Sequence, residues 1–185
     1  MNQHIKNYLS YYFQLKHAPE YAIQIKGPWG SGKTRLIRKI IEESDLVKEK
    51  HLYVSLYGIN SLREIDNALF QQLHPLLSSK TAKLAGTIAK GFLKTTLKID
   101  LNDNISVENQ SGLPDLEWPD YLQGTDEYLL VFDDLERCTM DTISVLGYIN
   151  SFVEHQGIKV VIICNEDELL RIDGIQEKYR RIKEK

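Results

Sequence analysis

The sequence predicts a three-layer α/β fold on a mostly parallel sheet, and three observations in it predict that class. A strand-like stretch, Tyr21 to Lys26, runs straight into Gly27-Pro28-Trp29-Gly30-Ser31-Gly32-Lys33-Thr34 and from there into a helical stripe. The runs Tyr128 to Phe132 and Val160 to Cys164 are continuously apolar, as strands buried on both faces of a parallel sheet are. Between these runs, Ile143, Leu146, Ile149 and Val153 recur at helical spacing, so strand and helix alternate as parallel connections require.

The elements follow in chain order. Residues 3 to 16 suit an amphipathic helix, with Ile5, Tyr8, Leu9, Tyr12 and Leu15 on one stripe, and Pro19 closes it. Tyr21 to Lys26 alternate as the first strand. The octapeptide after it fits G-x-x-x-x-G-K-[ST] at every fixed position, in the strand–loop–helix context that such a loop needs. Wrapping phosphate requires backbone N–H groups to curl around the oxygens, and glycine permits both the dihedrals and the close approach. Lys33 brings a point charge to the phosphate oxygens and Thr34 a hydroxyl for Mg²⁺, while the helix beginning there turns its positive end to the anion. With Gly near 7% of ordinary composition, chance places this pattern in well under about 1% of chains this long. Gly27, Pro28, Trp29, Gly30, Ser31, Gly32, Lys33 and Thr34 therefore read as a nucleotide-binding loop.

Leu36, Ile37, Ile40 and Ile41 stripe the following helix, which is expected to end near Ser44-Asp45. His51 to Leu56 is the second strand and Tyr57-Gly58 its exit turn. Asn60 or Ser61 can cap the next helix, whose inner face is Leu62, Ile65, Ala68, Leu69 and Leu73; Pro75 ends or kinks it. Residues 82 to 94 form another helical pattern with Lys83, Lys90 and Lys94 opposite its apolar arc. Such a helix binds an acidic membrane or a partner, or packs on its own domain with the lysines solvated. Residues 95 to 101 suit a short strand and 102 to 115 a polar surface loop. The organisation expected is one core domain over 1–185, with an N-terminal helix in 1–20 and an insertion at 80–127. A charged helical segment, Gln176 to Lys185, ends the chain.

Bulk properties narrow the field. The chain has 185 residues, 42% of them hydrophobic and 26% charged, enough for one substantial core. A formal net charge of −3 gives no global pull towards nucleic acid, so nucleic acid is not indicated as a partner. The two cysteines, Cys138 and Cys164, match no metal spacing, and the five histidines are scattered. No apolar run approaches the roughly 18 residues of a membrane span, and the start lacks a secretion signal, so a cytoplasmic location is expected.

The run Leu129-Leu130-Val131-Phe132 ends in Asp133-Asp134. A buried parallel strand delivers its terminal carboxylate to the carboxyl edge of the sheet, where ligands bind in open α/β folds. Asp133 is the candidate Mg²⁺ acid, acting mostly through water, and Asp134 the candidate base for an attacking water, with Glu136 as the alternative. Asn165 ends the next apolar strand, where its amide suits the γ-phosphate or the water; a turn residue leaving the strand is the other reading. Arg137 fits a cis arginine, a subunit-interface arginine or a plain surface charge. Arg180 and Arg181 fit trans fingers or a solvated tail.

Gly-Pro-Trp-Gly-Ser-Gly-Lys-Thr followed by Val-Phe-Asp-Asp-Leu-Glu-Arg resembles the KAP family of P-loop NTPases, related to the STAND group and to additional-strand ATPases. The family's second motif usually ends Asp-Asp-Leu-Asp-Arg, and Glu136 departs from it. The likeness runs from Tyr21 to about Asp167. It implies a P-loop NTPase fold with sheet order 5-1-4-3-2, Asn165 as sensor 1, and the N-terminal helix with Ala18 to Tyr21 near the adenine. Strands 1 to 4 are legible here. Strand 5 and the helical lid are expected to be missing, as in a fragment of a longer ATPase or a minimal domain that relies on a partner, with weak turnover alone. Members include anti-phage and signalling ATPases.

Two functions compete on this reading. The first is an ATP hydrolase, with ATP and Mg²⁺ as cofactors, driving a conformational or oligomeric change. The second is a nucleotide-gated switch that self-associates or binds a protein partner and hydrolyses little. A small-molecule kinase lacks an arginine cluster, and Asn165-Glu166-Asp167-Glu168 is not the guanine-reading Asn-Lys-x-Asp.

Overall fold

The computed structural model describes residues 3–73 and 128–171. The expected insertion at 80–127, Pro75, the basic helix at 82–94 and the tail from Gln176 lie outside them. The chain divides into two compact units, Met1–Asp66 with Gly124–Lys185, and Asn67–Gln123. Of the second, only the start is described, as the end of a helix; the first carries the sheet.

The elements in order are α1 (Gln3–Gln14), β1 (Ile23–Lys26), α2 (Lys33–Glu42), β2 (His51–Ser55), α3 (Leu62–Leu73), β3 (Leu129–Asp133), a 3₁₀ turn (Leu135–Arg137), α4 (Thr142–Glu154), β4 (Lys159–Cys164) and the short α5 (Glu166–Leu170). Among the described residues four strands lie in the order β1-β4-β3-β2, and each of their pairings is parallel. This is the expected α/β P-loop arrangement, with β1 to β4 in the order the resemblance implies.

The continuous apolar runs follow from burial on both faces. Leu129, Val131, Val161 and Ile163 pack into one core with Leu9, Tyr12 and Phe13 of α1 and with Ile37, Ile40 and Ile41 of α2. Alternation sends Phe132 to the opposite face, where its ring centroid lies 5.8 Å from that of Phe152 on α4. Tyr148, one turn earlier on α4, meets Phe152 edge-on at 5.1 Å and donates its hydroxyl to Asp66 Oδ1 at 2.5 Å. Asp141 caps α4, its carboxylate accepting from Ser144 N–H at 2.9 Å.

Polar groups anchor α1 to the amino edge of the sheet. Lys159 Nζ donates to the α1-terminal carbonyls of Phe13 (2.9 Å) and Leu15 (2.6 Å). The Tyr12 hydroxyl accepts from Val160 N–H at 3.0 Å and has the carbonyls of Tyr21 (3.1 Å) and Val160 (3.3 Å) within reach of its proton. Burial pushes the Tyr12 phenol up to about 12, so it stays a neutral donor. Removing that hydroxyl leaves buried backbone groups without a partner. Tyr12→Phe is therefore expected to destabilise the fold by about 1–3 kcal/mol, read as a lowered urea midpoint with unchanged slope.

Candidate functional site

The loop leaves β1 at the carboxyl edge. Lys26 pairs with Cys164, and Gly27 N–H donates to Cys164 O at 3.3 Å, so the loop starts beside the end of β4. Ser31 N–H donates to Pro28 O at 3.3 Å and closes the turn. Gly30 (φ 76°) and Gly32 (φ 82°) occupy the left-handed region, where a side chain is strained. α2 begins at Lys33, so the N–H groups of Lys33 and Thr34 belong to a first turn that has no acceptor within the helix. Lys33 Nζ donates to Gly27 O (2.6 Å) and Pro28 O (3.1 Å), which holds the ammonium against the loop.

Thr34 joins the loop to the acids, 99 residues apart: its hydroxyl donates to Asp133 Oδ2 at 2.7 Å. Asp133 is 3% exposed and wrapped by donors. Its Oδ1 accepts from Asp134 N–H at 2.8 Å, and its Oδ2 also accepts from the Tyr53 hydroxyl. Burial, and then the adjoining Asp133 carboxylate, push the Tyr53 phenol up to about 12. The Arg38 guanidinium lies 4.7 Å above the Tyr53 ring and acts in the opposite sense.

Asp134 has φ 60°, the one positive φ at a non-glycine among the described residues. Such a conformation in a non-glycine residue is uncommon and collects at functional turns. Its Oδ2 accepts from Ser55 Oγ at 2.8 Å, and its Oδ1 lies 3.9 Å from Arg137 Nη1. Arg137 in turn stacks on Tyr57 at 3.9 Å from the ring centroid. Glu136 faces the loop: its Oε1 accepts from the Trp29 indole N–H at 2.8 Å. Asn165 follows β4, one step beyond the Lys26–Cys164 pair, and is 4% exposed.

Among the described residues, two buried side-chain polar atoms have no hydrogen-bond partner, Glu136 Oε2 and Asn165 Oδ1. Both lie in the segments that leave β3 and β4 at the carboxyl edge. An unsatisfied buried acceptor costs about 1–3 kcal/mol unless something supplies a donor, so their coincidence at one edge marks that edge as the place where a donor-bearing ligand or water belongs.

The fold thus brings Thr34 onto Asp133 and Trp29 onto Glu136, while Asp134 rests on Ser55 and Arg137. Arg180 and Arg181 lie outside the described residues. Tyr53 and Ser55 are absent from the sequence-derived set. Their spacing of two puts them on one face of β2, but only the β2–β3 pairing, with Ser55 opposite Asp133, reveals what that face meets. Tyr12 and Lys159 tie α1 and Tyr21 to the amino edge of the sheet.

No helix among the described residues is long and apolar enough to cross a membrane. A search of curated proteins finds no match. A family model described as the KAP family P-loop domain matches residues 2–111 and 120–185.

Proposed function

The chain belongs to the KAP family of P-loop domains, whose loop supports nucleotide binding, and on that premise we propose that it is an Mg²⁺-dependent ATP hydrolase. The observation that carries this reading is the 2.7 Å hydrogen bond from Thr34 to Asp133, which pairs the loop hydroxyl with a buried strand-end carboxylate. Mg²⁺ takes one or two protein oxygens together with phosphate oxygens and water, and this pair is a donor set of that kind. Thr34 and Asp133 are the residues that would hold the ion, Thr34 through its hydroxyl oxygen and Asp133 mostly through water. When bound, the ion neutralises charge on the β- and γ-phosphates.

The chain's own residues do the rest. Lys33 exchanges its bonds to the loop carbonyls for phosphate oxygens, and the first turn of α2 adds N–H donors. Asp134 takes a proton from the attacking water. Glu136 is the alternative base, favoured by its unpartnered Oε2. The orphaned Oδ1 of Asn165 accepts from the same water, or its amide donates to the γ-phosphate when flipped. Adenine is preferred over guanine because no Asn-Lys-x-Asp follows β4.

The cycle drives a conformational or oligomeric change of one core domain interrupted at 80–127. A cytoplasmic setting in bacterial anti-phage defence or signalling goes with this reading on the family resemblance alone. Phosphate release from ATP should require Mg²⁺, stop under excess EDTA and exceed release from GTP. Release that is unaffected by EDTA would overturn the proposal.

A second reading, a nucleotide-gated switch with little turnover, is favoured by the exposed Arg137–Tyr57 stack beside Asp134, a surface that a neighbouring subunit or partner can read. Mass in solution with and without Mg-ATP separates the two, since a switch must bind its states differently.

A further inference from the structure

Asp133 accepts three hydrogen bonds, and they come from three directions. The Asp134 N–H is local backbone and Thr34 is the loop's own hydroxyl. The third donor, Tyr53, comes from a strand to which neither motif belongs. It reaches Asp133 because β2 lies beside β3 with Ser55 opposite Asp133, and its ring is covered by Arg38. Thr34 and Arg38 stand four residues apart on α2, hence on one face of that helix. That face grips both members of the Tyr53–Asp133 pair.

We propose that Tyr53 is the positioning residue of the metal acid: its hydroxyl fixes the Asp133 carboxylate against Thr34, and the site's divalent-cation affinity depends on it. The inference rests on the proposed Mg²⁺ role of Thr34 and Asp133. A carboxylate oxygen accepts about two hydrogen bonds, and those of Asp133 Oδ2 come from Thr34 and Tyr53. A cation bound through a lone pair of the Thr34 oxygen would leave its O–H free to go on donating to Asp133, so Thr34 and Tyr53 would hold Oδ2 between them. Thr34 would then be shared with the ion, and Tyr53 is the side-chain donor to Oδ2 that the ion does not engage. Without it, the carboxylate is held by Thr34 and one backbone N–H, and one of the three constraints on its orientation is gone. Partners that orient a metal-binding group typically change metal affinity by about 10–100-fold when removed.

The test is Mn²⁺ titration of the full chain loaded with a non-hydrolysable ATP analogue, followed by electron paramagnetic resonance. Tyr53→Phe keeps the ring beneath Arg38 and removes only the hydroxyl. Its Mn²⁺ half-saturation should rise about 10-fold or more, with metal-free nucleotide affinity within about twofold of wild type. Tyr12→Phe, which removes a phenol that serves only the fold, should lower the urea midpoint and leave Mn²⁺ binding at the wild-type value. Asp133→Asn is the reference. If it loses Mn²⁺ while Tyr53→Phe binds as wild type, the positioning role is wrong and the metal site stands. If Asp133→Asn itself binds Mn²⁺ as wild type, the assignment of the metal acid fails, and the role of Tyr53 with it. Equal losses of Mn²⁺ affinity in Tyr53→Phe and Tyr12→Phe also overturn the proposal, because they reduce the effect to general destabilisation.

Discussion

Asp134→Asn is expected to slow ATP hydrolysis by about 10²–10⁴-fold while leaving nucleotide affinity within about twofold of wild type. The expectation rests on the position of Asp134, directly after the proposed metal acid Asp133, on a backbone held at φ 60°. Asparagine is the informative replacement. It tolerates the left-handed conformation, so the turn carrying Glu136 and Arg137 is preserved. It also keeps a side-chain oxygen to accept from Ser55 Oγ, which now bonds Asp134 at 2.8 Å. What it loses is basicity. Single-turnover phosphate release, measured beside nucleotide affinity, separates chemistry from binding. Glu136→Gln is the companion variant. If it stops turnover and Asp134→Asn does not, the base is Glu136, whose unpartnered Oε2 lies on the neighbouring turn.

Lys33→Ala is expected to bring nucleotide binding below detection. The ammonium now bonds two loop carbonyls, at 2.6 and 3.1 Å, and on the proposed reading it exchanges those bonds for phosphate oxygens when nucleotide binds. Hydrogen bonds to charged groups are worth about 1.5–3 kcal/mol each, so losing two weakens binding by about 10²–10⁴-fold. Stability should change little, because the carbonyls that Lys33 releases can be taken up by water. Wild-type affinity in this variant, by fluorescence titration or calorimetry, would remove the loop from the site.

Most of the fold was legible because its strands carry their own signal. A run such as Val160 to Cys164 has no polar side to present, so it demands cover on both faces, and α1, α2 and α4 supply it. Boundaries moved where tertiary bonds intervened. The first strand starts at Ile23 rather than Tyr21, whose carbonyl lies within hydrogen-bonding reach of the Tyr12 hydroxyl. α1 stops at Gln14, and Lys159 from the far end of the chain binds the carbonyls around that stop.

The candidate site divides in the same way. The identities of the loop residues, the paired acids and Asn165 are written in consecutive residues, because the loop's conformation and each strand's terminus are local matters. Glycine at 30 and 32 meets positive φ without help from the rest of the chain. What the acids touch is not local. Tyr53 and Ser55 reach Asp133 and Asp134 across 80 and 79 residues, and Trp29 reaches Glu136 across 107. No periodicity encodes those meetings. The first two exist because the strand order sets β2 beside β3, and the third because the segments after β1 and β3 leave the same edge of a parallel sheet; a hydrogen bond needs its partners in one place whatever their distance along the chain. The sequence by itself determined a phosphate loop and two acids on a parallel sheet; the tertiary structure decided which hydroxyls hold those acids.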